Sequence, residues 1–387
     1  MWPIALLLAA PLAAAIEVGS PPPAPRDGDL WVYVGTYTHG GKSRGIYRLT
    51  LDGEGGTLGE PTLAAETPDP SFLAVGQTAR TLYAANEVST YEGRPAGSVS
   101  AFGLDRTTGA LSALNRQSSG GPGPCHVSVG PGGRALFVAN YGGGSVASYP
   151  LGEDGRIGPA ATFVQHKGTG AESSRPPTPH AHSIHADRGG RFVVAADLGL
   201  DSLLVYRLDP ATAGLTPNEP PSARLDPGSG PRHFAFHPDG KHAYVINERS
   251  STVTALDYDA GAGTLAARQT ISTLPEGFAG RNSTAEIQVH PSGKFLYGSN
   301  RGHDSIAIFA IEPGTGRLAS LGQAPSGGKT PRNFGIDPSG RFLIAANQAT
   351  DSLVVFRIDG QSGRLMPTGQ VVAVPSPVCV KFVPKGE

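Results

Sequence analysis

HPDGKHAYVINE (237–248), HPSGKFLYGSNR (290–301), DPSGRFLIAANQ (337–348) and GPGGRALFVANY (130–141) are four versions of one phrase, and their recurrence decides the fold. A fifth, DRGGRFVVAADL (187–198), differs mainly in lacking the proline. In all five a glycine stands seven residues before an Asn or Asp: Asn140, Asp197, Asn247, Asn300 and Asn347. Two worn copies, TARTLYAANE (78–87) and WVYVGTYT (31–38), put Asn86 and Thr36 in the same column. The seven columns are spaced by 50, 54, 57, 50, 53 and 47 residues. A fixed period of this size marks a repeat architecture rather than a set of unrelated domains.

Shortly after each column comes a second alternating run, such as SLLVYRLD, TVTALDYD, SIAIFAIE and SLVVFRID. A glycine-bearing turn follows (GAGTL, PGTGRL, GQSGRL), and then a less regular fourth segment. Period-two alternation, β-branched and aromatic enrichment and Gly-containing turns read as strands joined by hairpins. Four antiparallel strands per unit and seven units predict an all-β, seven-bladed β-propeller over residues 30–385. The ends of the chain fit together. PVCVKFVP (377–384) matches the opening strand PRHFAFHP (231–238) but nothing follows it, and the first unit lacks an opening strand. The C-terminal strand is therefore expected to join the first blade and close the ring, leaving no free sheet edge.

Composition agrees. Gly 54 and Pro 35 against 16% charged residues describe a turn-rich chain of short elements. A formal net charge of -1 gives no whole-chain attraction for nucleic acid, and none is expected as a partner. The two cysteines, Cys125 and Cys379, do not make a disulfide framework. At the N-terminus, an apolar run from Ile4 to Leu12 followed by Ala13–Ala15 reads as a signal peptide over residues 1–15. The run is too short to span a bilayer. PPPAPRDGD within 16–29 reads as a stiff linker. These features predict an exported protein, cytoplasmic if the leader reading is wrong, and the closed ring is expected to be monomeric.

In such a propeller the first strand of each blade lines the channel, and the second returns beside it. The start of one and the end of the other then share a mouth, with the Pro-Asp-Gly turns at the opposite face. The residues entering the first strands are Ser71-Phe72, Cys125-His126, His182-Ser183, Arg232-His233, Ala285-Glu286, Arg332-Asn333 and Val378-Cys379. Those after the Asn column are Tyr37, Glu87, Tyr141, Leu198, Glu248, Arg301 and Gln348. The repeated Asn residues are expected to bond turn backbone, and His185, His237 and His290 to pack or cap near the turns. Residues that differ between blades at the mouth are the functional candidates: His126, His182, Arg232, Glu248, Glu286, Arg301 and Arg332. PHAHSIH (179–185) puts His180 and His182 on one strand face, yet no third ligand has recognisable spacing, and no metal is expected. NYGGGS and GSGP precede no helix that could cradle phosphate, and no nucleophile elbow is present. Asn282-Ser283-Thr284 is a glycosylation sequon if the source glycosylates.

YVGTYT, PCHVSV, PHAHSIH, GPRHFAFHPDGKHAYVINE, TAEIQVHPSGKFLYGSNR and PRNFGIDPSGRFLIAAN together resemble the lactonase family of seven-bladed propellers, from Trp31 to Pro384. That family includes bacterial propeller-type 6-phosphogluconolactonases and fungal carboxymuconate lactonizing enzymes. The resemblance implies a cofactor-independent lactone hydrolase whose site comprises His182, Arg232, Glu248 and Arg301. Tyr141, His126, His233, Glu286 and Arg332 would shape the binding of a small lactone. Glu248 or His182 can act as general base. Arg232 and Arg301 can hold an anionic substrate and an oxyanion. Two other readings share the fold: cycloisomerisation of a muconate-type diacid, and a non-catalytic exported propeller that binds a protein or glycan.

Overall fold

The computed structural model describes residues 28–170 and 178–386. The leader and nearly all of the linker expected at the N-terminus lie outside the described residues. The described chain forms seven four-stranded sheets in sequence order around a closed ring, and every strand pairing is antiparallel. The first blade is made from both ends of the chain: Pro377–Pro384 pairs with Leu30–Thr36, which pairs with Gly45–Leu51 and then Thr62–Glu66. Ring closure is as the terminal segments require. No α-helix occurs among the described residues, so none there is long and apolar enough to cross a membrane.

The core lies between blades rather than within them. Inner and middle strands are apolar on both faces because each sheet packs on two neighbours, and the outer strands alternate buried with exposed residues. A repeated device fastens adjacent blades. The hydroxyls of Tyr33, Tyr83, Tyr244 and Tyr297, all buried, donate to the carbonyls of Gly109, Gly155, Gly316 and Gly363 in the next blade's outer hairpin. Each buried bond contributes about 1 kcal/mol net. These glycines have positive φ, and at Gly363 (φ 71°) a Cβ would fall 2.5 Å from the Phe295 ring, so only glycine fits.

The mouth loops are set by the column residues. Asn140, Asn300 and Asn347 donate to the backbone carbonyls of Ser119, Thr273 and Ser326, as expected of a structural column. Four residues further on, Asp201, Asp304 and Asp351 sit in the left-handed region (φ 50°, 54° and 50°), where Asp is tolerated. Their carboxylates accept the N–H of Gly230, Thr330 and Ser376, each 2.8 Å away and just ahead of the next blade's first strand. The chain therefore enters these three channel-lining strands at positions fixed by the preceding blade.

Candidate active site

All seven channel-lining strands carry the same irregularity. The register slips by one residue at the mouth end, between Pro231 and His233, Pro124 and His126, Ala181 and Ser183, Pro331 and Asn333, Pro70 and Phe72, Thr284 and Ile287, and opposite Gly35 and Thr36. A β-bulge of this kind sets two consecutive residues against one and re-aims their side chains. The result is two stacked rings. The outer ring contains Cys125, His182, Arg232 and Arg332, and the inner one Phe72, His126, His233, Glu286 and Asn333. Arg232 Nη1 lies 3.2 Å from His233 Nε2, so neighbours in sequence touch across the two layers.

At the outer layer, Glu248 receives two arginines on one oxygen. Arg232 Nε and Arg301 Nη2 stand 2.8 and 2.9 Å from Glu248 Oε2. Arg232 is anchored further by Nη1 donating to the Ala285 carbonyl (2.8 Å), and Arg301 by Nη2 donating to that of Thr284 (2.9 Å). The Nε–H groups of both arginines are buried and have no hydrogen-bond acceptor; at Arg232 the 2.8 Å contact is close but poorly aligned for a hydrogen bond. Burial works against the Glu248 carboxylate, but Arg301 and Arg232 overcome it and hold the group below its ordinary range. Glu248 is thus ionised at neutral pH, and its side chain keeps 25% exposure while that of Arg232 keeps 3%.

His182 faces the same space. Its Nδ1 is 3.6 Å from Cys125 Sγ, and its ring centroid is 5.3 Å from those of Tyr141 and His233. Burial, with Arg232 and His233 nearby, holds this imidazole well below the usual range, so it is neutral. The strand that carries it is positioned by Asp197, whose Oδ1 accepts the N–H groups of His180, Gly199 and Leu200 at 2.8, 3.0 and 3.1 Å. On the opposite side of the mouth, Arg332 Nη2 donates to Tyr37 Oη (2.7 Å), which donates to Glu87 Oε2 (2.8 Å). Arg332 also lies over the Tyr37 ring at 5.2 Å. Tyr37, Glu87 and Cys125 were not among the candidates read from sequence. All three nevertheless occupy the two mouth columns, so a rule that took every polar residue in those columns would have found them.

The candidates therefore divide by depth. His182, Arg232, Glu248, Arg301, Arg332 and Tyr141 meet at the mouth, whereas His126, His233 and Glu286 form the layer beneath, because the bulge sends their column deeper. Glu286 Oε1 accepts the Ile287 N–H (3.0 Å), and Oε2 accepts from Asn333 Nδ2 and lies 3.3 Å from His233 Nδ1. Burial pushes its carboxyl up to about 7, against the pull of Lys381 and Arg232. His237 and His290 cap the far turns as expected, through Nε2 to the carbonyls of Gly293 and Gly340. His185 departs from that expectation: it lines the channel, and its Nε2 has no partner. Of the described residues, His237, Asp239 and His242 could together hold a metal ion, but they sit in a far-face turn where His237 Nδ1 already accepts the Asp239 N–H and His242 Nδ1 lies 2.7 Å from Asp239 Oδ2.

Fold and site together define a closed seven-bladed propeller with a buried arginine, glutamate and histidine cluster at one mouth. The chain belongs to the lactonase family of seven-bladed β-propellers: residues 31–382 match the family described as "Lactonase, 7-bladed beta-propeller". It is 40% identical to a 6-phosphogluconolactonase of Bacillus subtilis over 351 residues, 91% of this chain and 97% of that one. Among solved structures it resembles a putative 6-phosphogluconolactonase of Bacteroides fragilis (TM-score 0.86, 35% identity, 94% of this chain and 100% of that chain). It also resembles a periplasmic gluconolactonase of Pseudomonas aeruginosa (TM-score 0.86, 34% identity, 92% and 100%).

Proposed function

We propose that the protein hydrolyses the lactone of a sugar acid at the mouth formed by His182, Arg232, Glu248 and Arg301. The observation that carries this reading is the pair of buried arginines on one Glu248 oxygen, with an Arg301 Nε–H that lacks an acceptor. A buried donor without a partner costs about 1–3 kcal/mol, a cost that an incoming acceptor relieves. The lactone carbonyl oxygen is such an acceptor, and it becomes a better one as water adds and negative charge grows on it. Glu248 takes a proton from the attacking water. The tetrahedral intermediate then expels the ring oxygen, which takes that proton back and leaves as a hydroxyl. One water is consumed and one hydroxy acid is formed. His182, neutral and facing the same space, orients the water or the departing oxygen. Tyr141 and Arg332 border the substrate, and His126, His233 and Glu286 support the floor.

Three arginines (Arg232, Arg301, Arg332) face two carboxylates (Glu248, Glu87), one net positive charge among these described groups. That balance suits a neutral or singly charged lactone better than a phosphorylated one. The apolar N-terminal segment supports an exported enzyme, for which an unphosphorylated substrate is the accessible one. A pH-stat panel tests this. Gluconolactone should be opened well above its spontaneous rate and faster than 6-phosphogluconolactone. A preference for the phosphorylated substrate would reject the charge argument. Conversion of a muconolactone to its diacid while gluconolactone persists would replace hydrolysis with cycloisomerisation, and background rates throughout would make the propeller a binding module.

A further inference from the structure

Beneath the inner ring, on the side away from the mouth, the channel holds a cavity of about 580 Å³ that reaches the face of the Pro-Asp-Gly turns at Pro238 and Pro338. Its lining has two zones. Next to the inner ring lie His126, His233, Glu286, His185 and Lys381, and nearer the opening lies a collar of Val75, Val129, Phe236, Val289, Ile336 and Phe382. The collar side chains are only partly buried, whereas the residues two positions earlier on four of the same strands (Leu73, Val127, Phe234, Ile287) are 0–2% exposed. The mouth chemistry described above uses neither Lys381 nor His185.

We propose that this far end is a second ligand site, one that takes an organic monocarboxylate with an apolar body. Lys381 supplies the charge. Its Nζ stands 4.6 Å from the centroid of the Phe72 ring, and among the described residues no carboxylate comes within ion-pair distance of it. Glu286, the acidic group of the cavity, has both oxygens engaged by Ile287, Asn333 and His233. His185 Nε2 is buried without a hydrogen-bond partner. A carboxylate between Lys381 and His185 would answer both, through charge-assisted contacts stronger than neutral ones. The collar then removes an aliphatic or aromatic body from water, at about 25 cal/mol for each Å² buried. Small hydrophilic anions lack the second component and neutral apolar molecules lack the first. The site is independent of the lactonase reading, because the two rings of the bulges separate it from Glu248 and Arg301.

Hexanoate is the probe, with acetate (charge without body) and hexanol (body without charge) as controls, titrated calorimetrically into the full chain. Hexanoate should bind with one-to-one stoichiometry, at least tenfold tighter than either control. Lys381→Met, which keeps the aliphatic stem, should lose at least tenfold, and Lys381→Arg and Arg301→Ala should bind as wild type. In the unmodified protein, hexanoate should shift the NMR signals of His185 and Val129 and leave those of Tyr141 in place, a readout that does not depend on any variant folding. Absence of hexanoate binding, undiminished binding by Lys381→Met, or loss of binding with Arg301→Ala would each overturn the proposal.

Discussion

Arg301 Nη2 stands 2.9 Å from Glu248 Oε2 across the boundary between the sixth and fifth blades. The contact joins residues 53 positions apart in sequence and exists because consecutive blades pack side by side. Burial, with Arg232 beside it, lowers the Arg301 guanidinium to about 10, still charged at neutral pH. Replacing Arg301 by Ala removes one oxyanion donor and leaves Glu248 paired with Arg232. On the proposed mechanism kcat on gluconolactone falls by roughly 10²–10³ while the melting temperature changes little. Steady-state kinetics above the spontaneous rate check this.

Stability should depend on pH through the channel histidines. Burial holds His126, His182 and His233 well below their ordinary value of 6.5 and His185 at about 4. The unfolded chain therefore binds protons near pH 6.5 that the folded chain refuses, so stability is full above that pH and is lost as pH falls toward 4. Each imidazole contributes on the order of 1 kcal/mol per pH unit in that window. Glu286 acts in the opposite sense between its unfolded value of 4.5 and about 7, where the folded state retains a proton that the unfolded state releases. Urea unfolding between pH 5 and 6.5 should show stability rising with pH, and more steeply in Glu286→Gln. A flat profile would mean that the imidazoles titrate normally.

Asp201 touches no proposed catalytic group, yet it sets the approach to one. Its Oδ1 and Oδ2 accept the N–H groups of Gly230 and Gly228, two and four residues before Arg232. Asp201→Ala should lower kcat more than it raises KM, because the arginine loses register and not contact area. Asp201→Asn, which keeps an acceptor for Gly230 but not for Gly228, should recover part of the rate. Equal loss in both variants would assign Asp201 a purely structural role.

Ring closure rests on Pro377–Pro384, which pairs along the whole of Leu30–Thr36 and buries Val378, Cys379, Val380 and Val383. Fully burying each such side chain stabilises by about 1.5–3 kcal/mol. A chain ending at residue 376 should lose cooperative thermal unfolding and be cut rapidly by protease. Retention of a single sharp transition would show that the first blade stands with three strands.

The repeat made the architecture legible: a glycine seven residues before an Asn or Asp is a local turn signal, and five clear copies with two worn ones state the blade number. The mouth was legible for a related reason, since His182, Arg232, Glu248 and Arg301 interrupt columns that otherwise serve every blade. What escaped was depth. Nothing in GPRHF tells that a bulge separates Arg232 from His233, so Glu286 and His126 were expected beside Glu248 instead of beneath it. Lys381 and His185 escaped because their column is otherwise small or polar (Ala74, Ser128, Ala235, Gly335) and lies below the mouth positions from which candidates were drawn.

The most direct test is the rate constant of Glu248→Gln on gluconolactone, corrected for spontaneous opening and measured on protein whose unfolding matches wild type. The amide keeps the size of the side chain but removes the base and the anion that both arginines face. The proposed mechanism predicts kcat/KM lower by a factor of roughly 10²–10⁴. A variant that opens the lactone within about threefold of wild type would contradict it, and the reaction would then have to be placed elsewhere on the propeller.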